Sequence, residues 1–324
     1  MAKILFGKIA TRVVFISYLD TVWAPVTERL ECPERFTLLF APISRSYTES
    51  MSERDPSFRL KPFLLNKNEL PKNLDESFRY LDEWKRDWKG ANVAYEYHFW
   101  RHMYYDVGMI RLSQIINEDV RVYKSQDVNG IIEDGSQRAF FPSGLAFYTY
   151  ARSLFNMNDS AEKIAEDYFK AAYGEDWRDF YDYLSELSEV FDSRYLEGEL
   201  SANPAVSKYY KPEYAKGLTR VAKILEKGRA LIASHYNSDE RVRTVSVRLL
   251  EHHADWCEAL AAVLSKKAVG DDAGAKELYS AMRLDFGRRE AAIESFYDHG
   301  LAFICLDSLI NSVSKTDVVT ELGN

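Results

Sequence analysis

Residues Asn92–Trp100 read NVAYEYHFW, a mostly apolar run that is rich in aromatic side chains. Similar runs of β-branched and aromatic residues occupy Val13–Leu19, Phe36–Ile43 and Val128–Glu133. Continuous apolar runs of this length are typical of strands that are buried on both faces, as in a parallel sheet. The four runs therefore predict four parallel strands in the first half of the chain.

Helical patterns separate the later strands. Residues Leu74–Trp88 and Met109–Tyr123 repeat apolar side chains at the spacing of one helix face. Alternating strands and helices predict parallel strands that are joined by helical crossovers. The segment Ser44–Lys72 contains three prolines and is longer than an ordinary connection, which predicts a functional loop.

The strand pattern stops near residue 156, and the rest of the chain is predicted to be helical. Residues Asp159–Glu162 have the pattern of a capping box that begins a helix, and Gly174 is expected to end it. Further helices are predicted at Asp176–Phe191, Pro212–Tyr236, Asp239–Val269 and Asp272–Ser314. We therefore expect an α/β domain over residues 1–156 and an all-α domain over residues 157–324.

Composition argues against several classes of function. A net charge of −8 without a run of Lys or Arg argues against nucleic acid as the main partner. The three cysteines form no CxxC pair, and neither a metal site nor a cofactor-binding glycine loop is evident. No apolar stretch approaches the ~20 residues of a membrane span, and Lys8 interrupts the first apolar run too early for a signal peptide. We expect a cytoplasmic protein with no cofactor, metal or membrane partner.

The side chains that follow the apolar runs are the candidates for a functional site, because parallel strands place their carboxyl ends at one edge of a sheet. Tyr18, Asp20 and Trp23 follow the first run and could hold a sugar ring and its hydroxyls. The alternative is that Asp20 caps a turn and Trp23 packs under the loop. Arg45 follows the second run, where it either orients a carboxylate or substrate hydroxyl or forms a structural ion pair.

The third run carries the densest group of candidates: Tyr97, His98, Trp100 and, shortly after it, Asp106. Alternation along a strand places Tyr97 on the opposite side from His98 and Trp100. A histidine beside a tryptophan suits hydrogen bonding to a sugar that stacks on the indole. A satisfied structural histidine is the alternative.

Two adjacent carboxylates, Glu133 and Asp134, end the fourth run, and Gln137 follows them. Carboxylates at a strand end can act as catalytic acid or base. Glycosidases use two carboxylates on opposite sides of the scissile bond. Neighbours in a strand point apart, so Glu133 and Asp134 are a poor match for both members of one pair. One of them is a candidate for substrate binding instead. Gln137 is a candidate for substrate binding.

A set of motifs in fixed order resembles a known family. These motifs are YLDTVWAP at 18–25, FAPISRSY at 40–47, YEYHFW at 95–100 followed by Asp106, GIIEDGSQRAFFPSGL at 130–145 and EKIAEDYFKAAYGED at 162–176. Together they resemble the domain-of-unknown-function family 4838, which is grouped with glycoside hydrolase family 163. Characterised members of the latter are endo-β-N-acetylglucosaminidases that act on N-glycans. The resemblance covers about residues 10–195.

The resemblance implies a (β/α)₈ barrel of the TIM type, of which this chain contains only the C-terminal half. The four predicted strands would be the fifth to eighth, followed by the α-helical domain. Related barrel hexosaminidases carry the catalytic acid at the end of the fourth strand, which has no counterpart here. The resemblance then implies a substrate-binding wall formed by Tyr18, Arg45, Tyr97, His98, Trp100, Asp106, Glu133 and Gln137.

Three hypotheses for function follow. The first is a truncated or split glycoside hydrolase that acts on N-acetylhexosamine-containing glycans when it is completed by the missing half. The second is a non-catalytic carbohydrate-binding module, and the third is an interaction role for the helical domain. The expected partner is a carbohydrate, and both a homo-oligomer and a separate N-terminal half remain open as protein partners.

Overall fold

The computed structural model describes residues 11–65, 69–71, 73–135 and 138–315. Its strands are β1 (Val13–Ser17), β2 (Phe36–Phe40), β3 (Ala91–Phe99) and β4 (Val128–Gly135). They form one sheet in the order β1-β2-β3-β4. Strand β1 pairs in parallel with β2, and β2 pairs in parallel with β3. The predicted parallel sheet is confirmed, and each predicted strand lies within a few residues of its observed position.

Helices follow the strands and make up most of the later chain. Their bounds are α1 Leu74–Asp87, α2 Ile110–Ser125, α3 Leu145–Phe155, α4 Ala161–Tyr173, α5 Trp177–Phe191, α6 Ser193–Glu197, α7 Pro212–Leu218, α8 Arg220–Ser234, α9 Arg241–Ala268, α10 Asp272–Ile293 and α11 His299–Ile310. The fold is therefore mixed α/β, followed by a helical part. No helix in the described ranges is both long enough and apolar enough to span a membrane.

Local capping explains where several helices begin and end. The Asn73 side chain accepts a hydrogen bond of 2.8 Å from the Glu76 amide at the start of α1. The Ser160 hydroxyl accepts one of 3.2 Å from the Lys163 amide at the start of α4, where the sequence predicts a cap. Gly174 ends α4 with a φ of 85°, a conformation that a side chain would strain.

Two predicted helices are each broken into two. The predicted helix Pro212–Tyr236 stops at Leu218, and Thr219 separates α7 from α8. The predicted helix Asp272–Ser314 is interrupted between α10 and α11, where Tyr297 forms an antiparallel bridge with Ala139. A strand-like bridge to a distant residue requires extended backbone, so the helix cannot continue through this segment.

The described chain divides into two compact units. We call the residues up to His98 together with Glu118–Gly135 the sheet unit, and Phe99–Asn117 with the residues from Arg138 onward the helical unit. In the sheet unit, α1 covers the sheet, and Phe78 packs on Phe40 with ring centroids 6.3 Å apart. The predicted domains, 1–156 and 157–324, divide the chain differently and stay a prediction.

The helical unit has a large aromatic core. Tyr173 of α4 stacks on Phe180 of α5 with centroids 4.5 Å apart. Helix α8 approaches α5 closely, because a Cβ added at Gly228 would lie 2.2 Å from the Tyr183 ring. The absence of a side chain at Gly228 is therefore a packing requirement of this helix pair.

Two Gly-to-Ala substitutions test this packing. Gly228→Ala should lower the free energy of unfolding by about 1–3 kcal/mol, because the new methyl group overlaps the Tyr183 ring. The matched substitution Gly287→Ala lies in the middle of α10, where a Cβ meets nothing within 4 Å. This substitution should raise the free energy of unfolding by about 0.5–1 kcal/mol, because alanine favours the helical conformation more than glycine does. Urea unfolding of both variants checks the pair, and equal effects would contradict the close approach.

Candidate functional site

A group of charged side chains is brought together at the carboxyl end of the sheet. Glu96 and His98 lie two residues apart on β3 and share one face of the strand. Arg45 follows β2, the neighbour of β3, and Glu133 lies on β4. Asp119 comes from α2, which connects β3 to β4. We call these five residues the charged cluster, and all of them belong to the sheet unit.

Arg45 is the centre of the charged cluster. Its side chain is fully buried, and its Nη2 lies 2.5 Å from Asp119 Oδ2 and 3.4 Å from Glu96 Oε1. The guanidinium also stacks over the Tyr47 ring, 3.9 Å from its centroid. Burial lowers the pKa of Arg45, but Asp119 and Glu96 more than offset it, so the pKa lies well above its usual value. The sequence left open an ion pair or a substrate contact for Arg45, and its burial favours the ion pair.

Glu96 is surrounded by hydrogen-bond donors. The Tyr47 hydroxyl donates to its Oε2 at 2.6 Å, and the Tyr123 hydroxyl donates to its Oε1. The Tyr97 amide also donates to Oε2 at 3.2 Å. Burial and the charge of Glu96 raise the pKa of both tyrosines, which keeps them protonated as donors. Glu96 therefore anchors the cluster rather than facing a ligand.

His98 links the buried and the outer parts of the charged cluster. Its Nε2 lies 3.0 Å from Asp119 Oδ2, and its Nδ1 lies 3.1 Å from Glu133 Oε2. Burial lowers the pKa of His98, but the carboxylates of Glu133 and Asp119 outweigh it and raise the pKa to about 10. A carboxylate at each ring nitrogen favours the doubly protonated imidazolium.

Asp119 is shared by both cations of the cluster. Its Oδ2 contacts Arg45 and His98, and its Oδ1 accepts a 2.6 Å hydrogen bond from the Met51 amide. Burial raises the pKa of Asp119, but Arg45 and His98 lower it by more, so the pKa lies below its usual value. Asp119 is therefore an ionised group that fixes the loop after β2 to α2.

The carboxylates of the charged cluster differ in their exposure. Asp119 and Glu96 have side chains at most 1% exposed, whereas that of Glu133 is 9% exposed. Glu133 is therefore the carboxylate of the cluster that a ligand could reach, and His98 fixes its orientation from behind.

Aromatic side chains lie on the other face of β3. Tyr95 and Tyr97 pack with ring centroids 5.3 Å apart, and Tyr18 packs against the same small cluster of side chains. Burial raises the pKa of Tyr97, with smaller contributions from Tyr18, Tyr95 and Asp134. The charge of Asp134 thus affects the pKa of Tyr97, while Glu133 contacts His98. This arrangement is expected for neighbours that point to opposite faces of a strand.

No protein-family model, curated protein or solved structure matches this chain. The resemblance to family 4838 and its hydrolase relatives therefore stays a prediction.

Three further candidate site residues are Trp23 and Asp20, which follow β1, and Gln137, which follows β4. Trp23 lies between Phe63 and Tyr80, with centroids 5.5 and 5.2 Å away, which favours packing under the loop over sugar stacking. Asp20 falls in a short helical turn, Leu19–Thr21, and its side chain is outside the described part of the structure. Gln137 lies wholly outside the described residues.

Trp100 and Asp106 belong to the helical unit. Trp100 is 37% exposed. Asp106 is buried, and its oxygens accept hydrogen bonds from the Leu112 amide at 2.7 Å and the Ser188 hydroxyl at 2.6 Å. Burial raises its pKa although these donors oppose the shift. This geometry favours a role at the start of α2 over the predicted sugar contact, which stays a prediction.

The sequence reading missed Asp119, Glu96, Tyr47 and Tyr123 as members of the site. Glu96 could have been found, because it shares a strand face with His98. Asp119 has no local signal, since it lies on a helix 21 residues beyond His98 and meets it only in the fold. Within the described ranges, no group of three or more His, Cys, Asp or Glu side chains could hold a metal ion.

The pH dependence of stability tests the charge on His98. Its folded pKa of about 10 exceeds the value of about 6.5 for an unfolded histidine. Its contribution to stability is therefore complete below about pH 6.5 and is lost as the pH rises toward 10. We expect the difference in unfolding free energy between the wild type and His98→Gln to shrink from pH 7 to pH 10, measured by urea unfolding. A difference that stays flat over this range would contradict a charged His98.

Proposed function

We propose that the sheet unit binds an N-acetylhexosamine-containing glycan at the edge where β3 and β4 end, as part of a glycoside hydrolase-like protein. The observation that carries this proposal is Glu133, a partly accessible carboxylate that His98 holds at a strand end. Carboxylates in this position accept hydrogen bonds from sugar hydroxyls and from the N–H of an acetamido group. Tyr18, Tyr95 and Tyr97 lie on the opposite face of β3 from His98, so the proposed glycan contact rests on Glu133.

The strand order supports a half-barrel as the finer fold. Strands β1 to β4 lie in the sheet in the same order as in the chain. A (β/α)₈ barrel requires this sequential order, whereas a doubly wound sheet reverses its order at a switch point. We propose that these strands are the fifth to eighth of such a barrel, and that the other half comes from a different segment or chain.

The charges of the site define the role that Glu133 could take in hydrolysis. Glu133 contacts His98, and a carboxylate beside an imidazolium is suited to orient a substrate or accept a proton rather than donate one. Glu96 is saturated by donors, and Asp134 acts on the opposite face of β3. We therefore propose that the general acid comes from the other half of the barrel.

A carbohydrate-binding module without turnover is the second candidate. The separation of Glu133 and Asp134 onto opposite faces favours it, because a glycosidase needs two carboxylates that face one bond. Turnover of a para-nitrophenyl N-acetyl-β-glucosaminide separates the two candidates. The hydrolase proposal expects turnover only when the other half of the barrel is supplied, and the module proposal expects none in either case.

Glu133→Gln tests the proposed glycan contact. The substitution keeps the size of the side chain but removes the charge that His98 orients, so affinity for N,N′-diacetylchitobiose should fall about tenfold or more. The control Glu118→Gln also removes a carboxylate from the sheet unit, but this residue lies on α2 and contacts Ser52. Isothermal titration of the full chain measures both. Equal affinities for wild type and Glu133→Gln, or no binding by the wild type, would overturn the proposal.

A further inference from the structure

The helical unit contains a cavity that the proposed glycan site does not use. Its volume is about 740 Å³, which lies within the range of small-molecule sites. Helices α3, α4 and α9 contribute to it, together with the segments before α3 and before α11. Its aromatic lining consists of Phe140, Phe147, Tyr148, Tyr168, Tyr173 and Phe296.

Aromatic side chains give this cavity flat walls. Phe140 and Phe147 pack with centroids 5.5 Å apart, and Tyr148 and Tyr168 pack with centroids 5.7 Å apart. Phe140 is 39% exposed, so the wall is open to an incoming molecule. Aromatic side chains prefer offset or edge contacts with other rings, and these walls suit a planar aromatic ligand.

The start of α9 gives the cavity positive charge. Arg241 and Val242, the first residues of this helix, line the cavity. The preceding Glu240 makes no side-chain cap, and its carboxylate pairs with Arg243 at 3.2 Å. An uncapped helix start attracts anions through its free N–H groups. Arg241 itself forms no ion pair with any residue that the structure describes, so its charge is available to a ligand.

We propose that this cavity binds a planar aromatic carboxylate. The aromatic walls would enclose the ring system, and Arg241 and the first turn of α9 would face the carboxylate. A sugar fits this cavity less well, because apolar surface dominates the lining and few polar groups could satisfy its hydroxyls. The proposal concerns the helical unit alone and does not depend on the glycan site.

Three probe molecules test the class of ligand on the full chain. Isothermal titration with naphthoate, its uncharged analogue naphthamide and the fatty acid anion dodecanoate separates ring shape from charge. We expect naphthoate to bind, and naphthamide to bind about threefold more weakly because it lacks the charge that Arg241 faces. No binding of naphthoate at millimolar concentration, or tighter binding of dodecanoate than of naphthoate, would overturn the proposal.

Two variants locate the binding. Arg241→Gln should remove the difference in affinity between naphthoate and naphthamide, whereas Arg288→Gln, an exposed arginine of α10 outside the cavity, should preserve it. A difference in affinity that survives Arg241→Gln would contradict the assigned site.

Discussion

The burial of the Arg45 guanidinium between Asp119 and Glu96 is the constraint on which the sheet unit depends. A buried cation without its partners costs several kcal/mol, so the loop after β2, strand β3 and helix α2 must meet in one arrangement. The Met51 amide, bound to Asp119, extends this constraint into the long segment between β2 and α1. The sequence predicts a functional loop of unusual length for this segment, and the hydrogen bond from the Met51 amide to Asp119 is one of the contacts that fix its position.

The same charges also shape the proposed site. Asp119 is held by Arg45, His98 is held by Asp119, and Glu133 is held by His98. Along this series the residues lie progressively closer to the surface, so the position of the accessible Glu133 carboxylate depends on the buried ion pair of Arg45 and Asp119. A substitution at Arg45 should therefore alter both stability and binding at the proposed site. A substitution at Glu133 should alter mainly binding at that site.

Sequence patterns predicted the structural features that depend on neighbouring residues. They did not predict the features that depend on contacts between residues far apart in the sequence. The strands follow from their apolar runs, and the cap at Ser160 and the helix end at Gly174 follow from residues next to the helix ends. The break between α10 and α11 depends on Ala139, which is far away in sequence. The role of Asp119 was likewise invisible, because no pattern on α2 indicates that a histidine and an arginine will meet it.

The most direct test of this account is the stability of Arg45→Met, with Arg86→Met as the control. Arg86 pairs with Glu83 at 2.7 Å on the surface of α1, where its side chain is 59% exposed. The account predicts that Arg45→Met lowers the free energy of unfolding by about 3–5 kcal/mol, because the buried carboxylates lose their cation. Arg86→Met should change it by less than about 1 kcal/mol. Equal effects of the two substitutions in urea unfolding would contradict the central role of the buried ion pair.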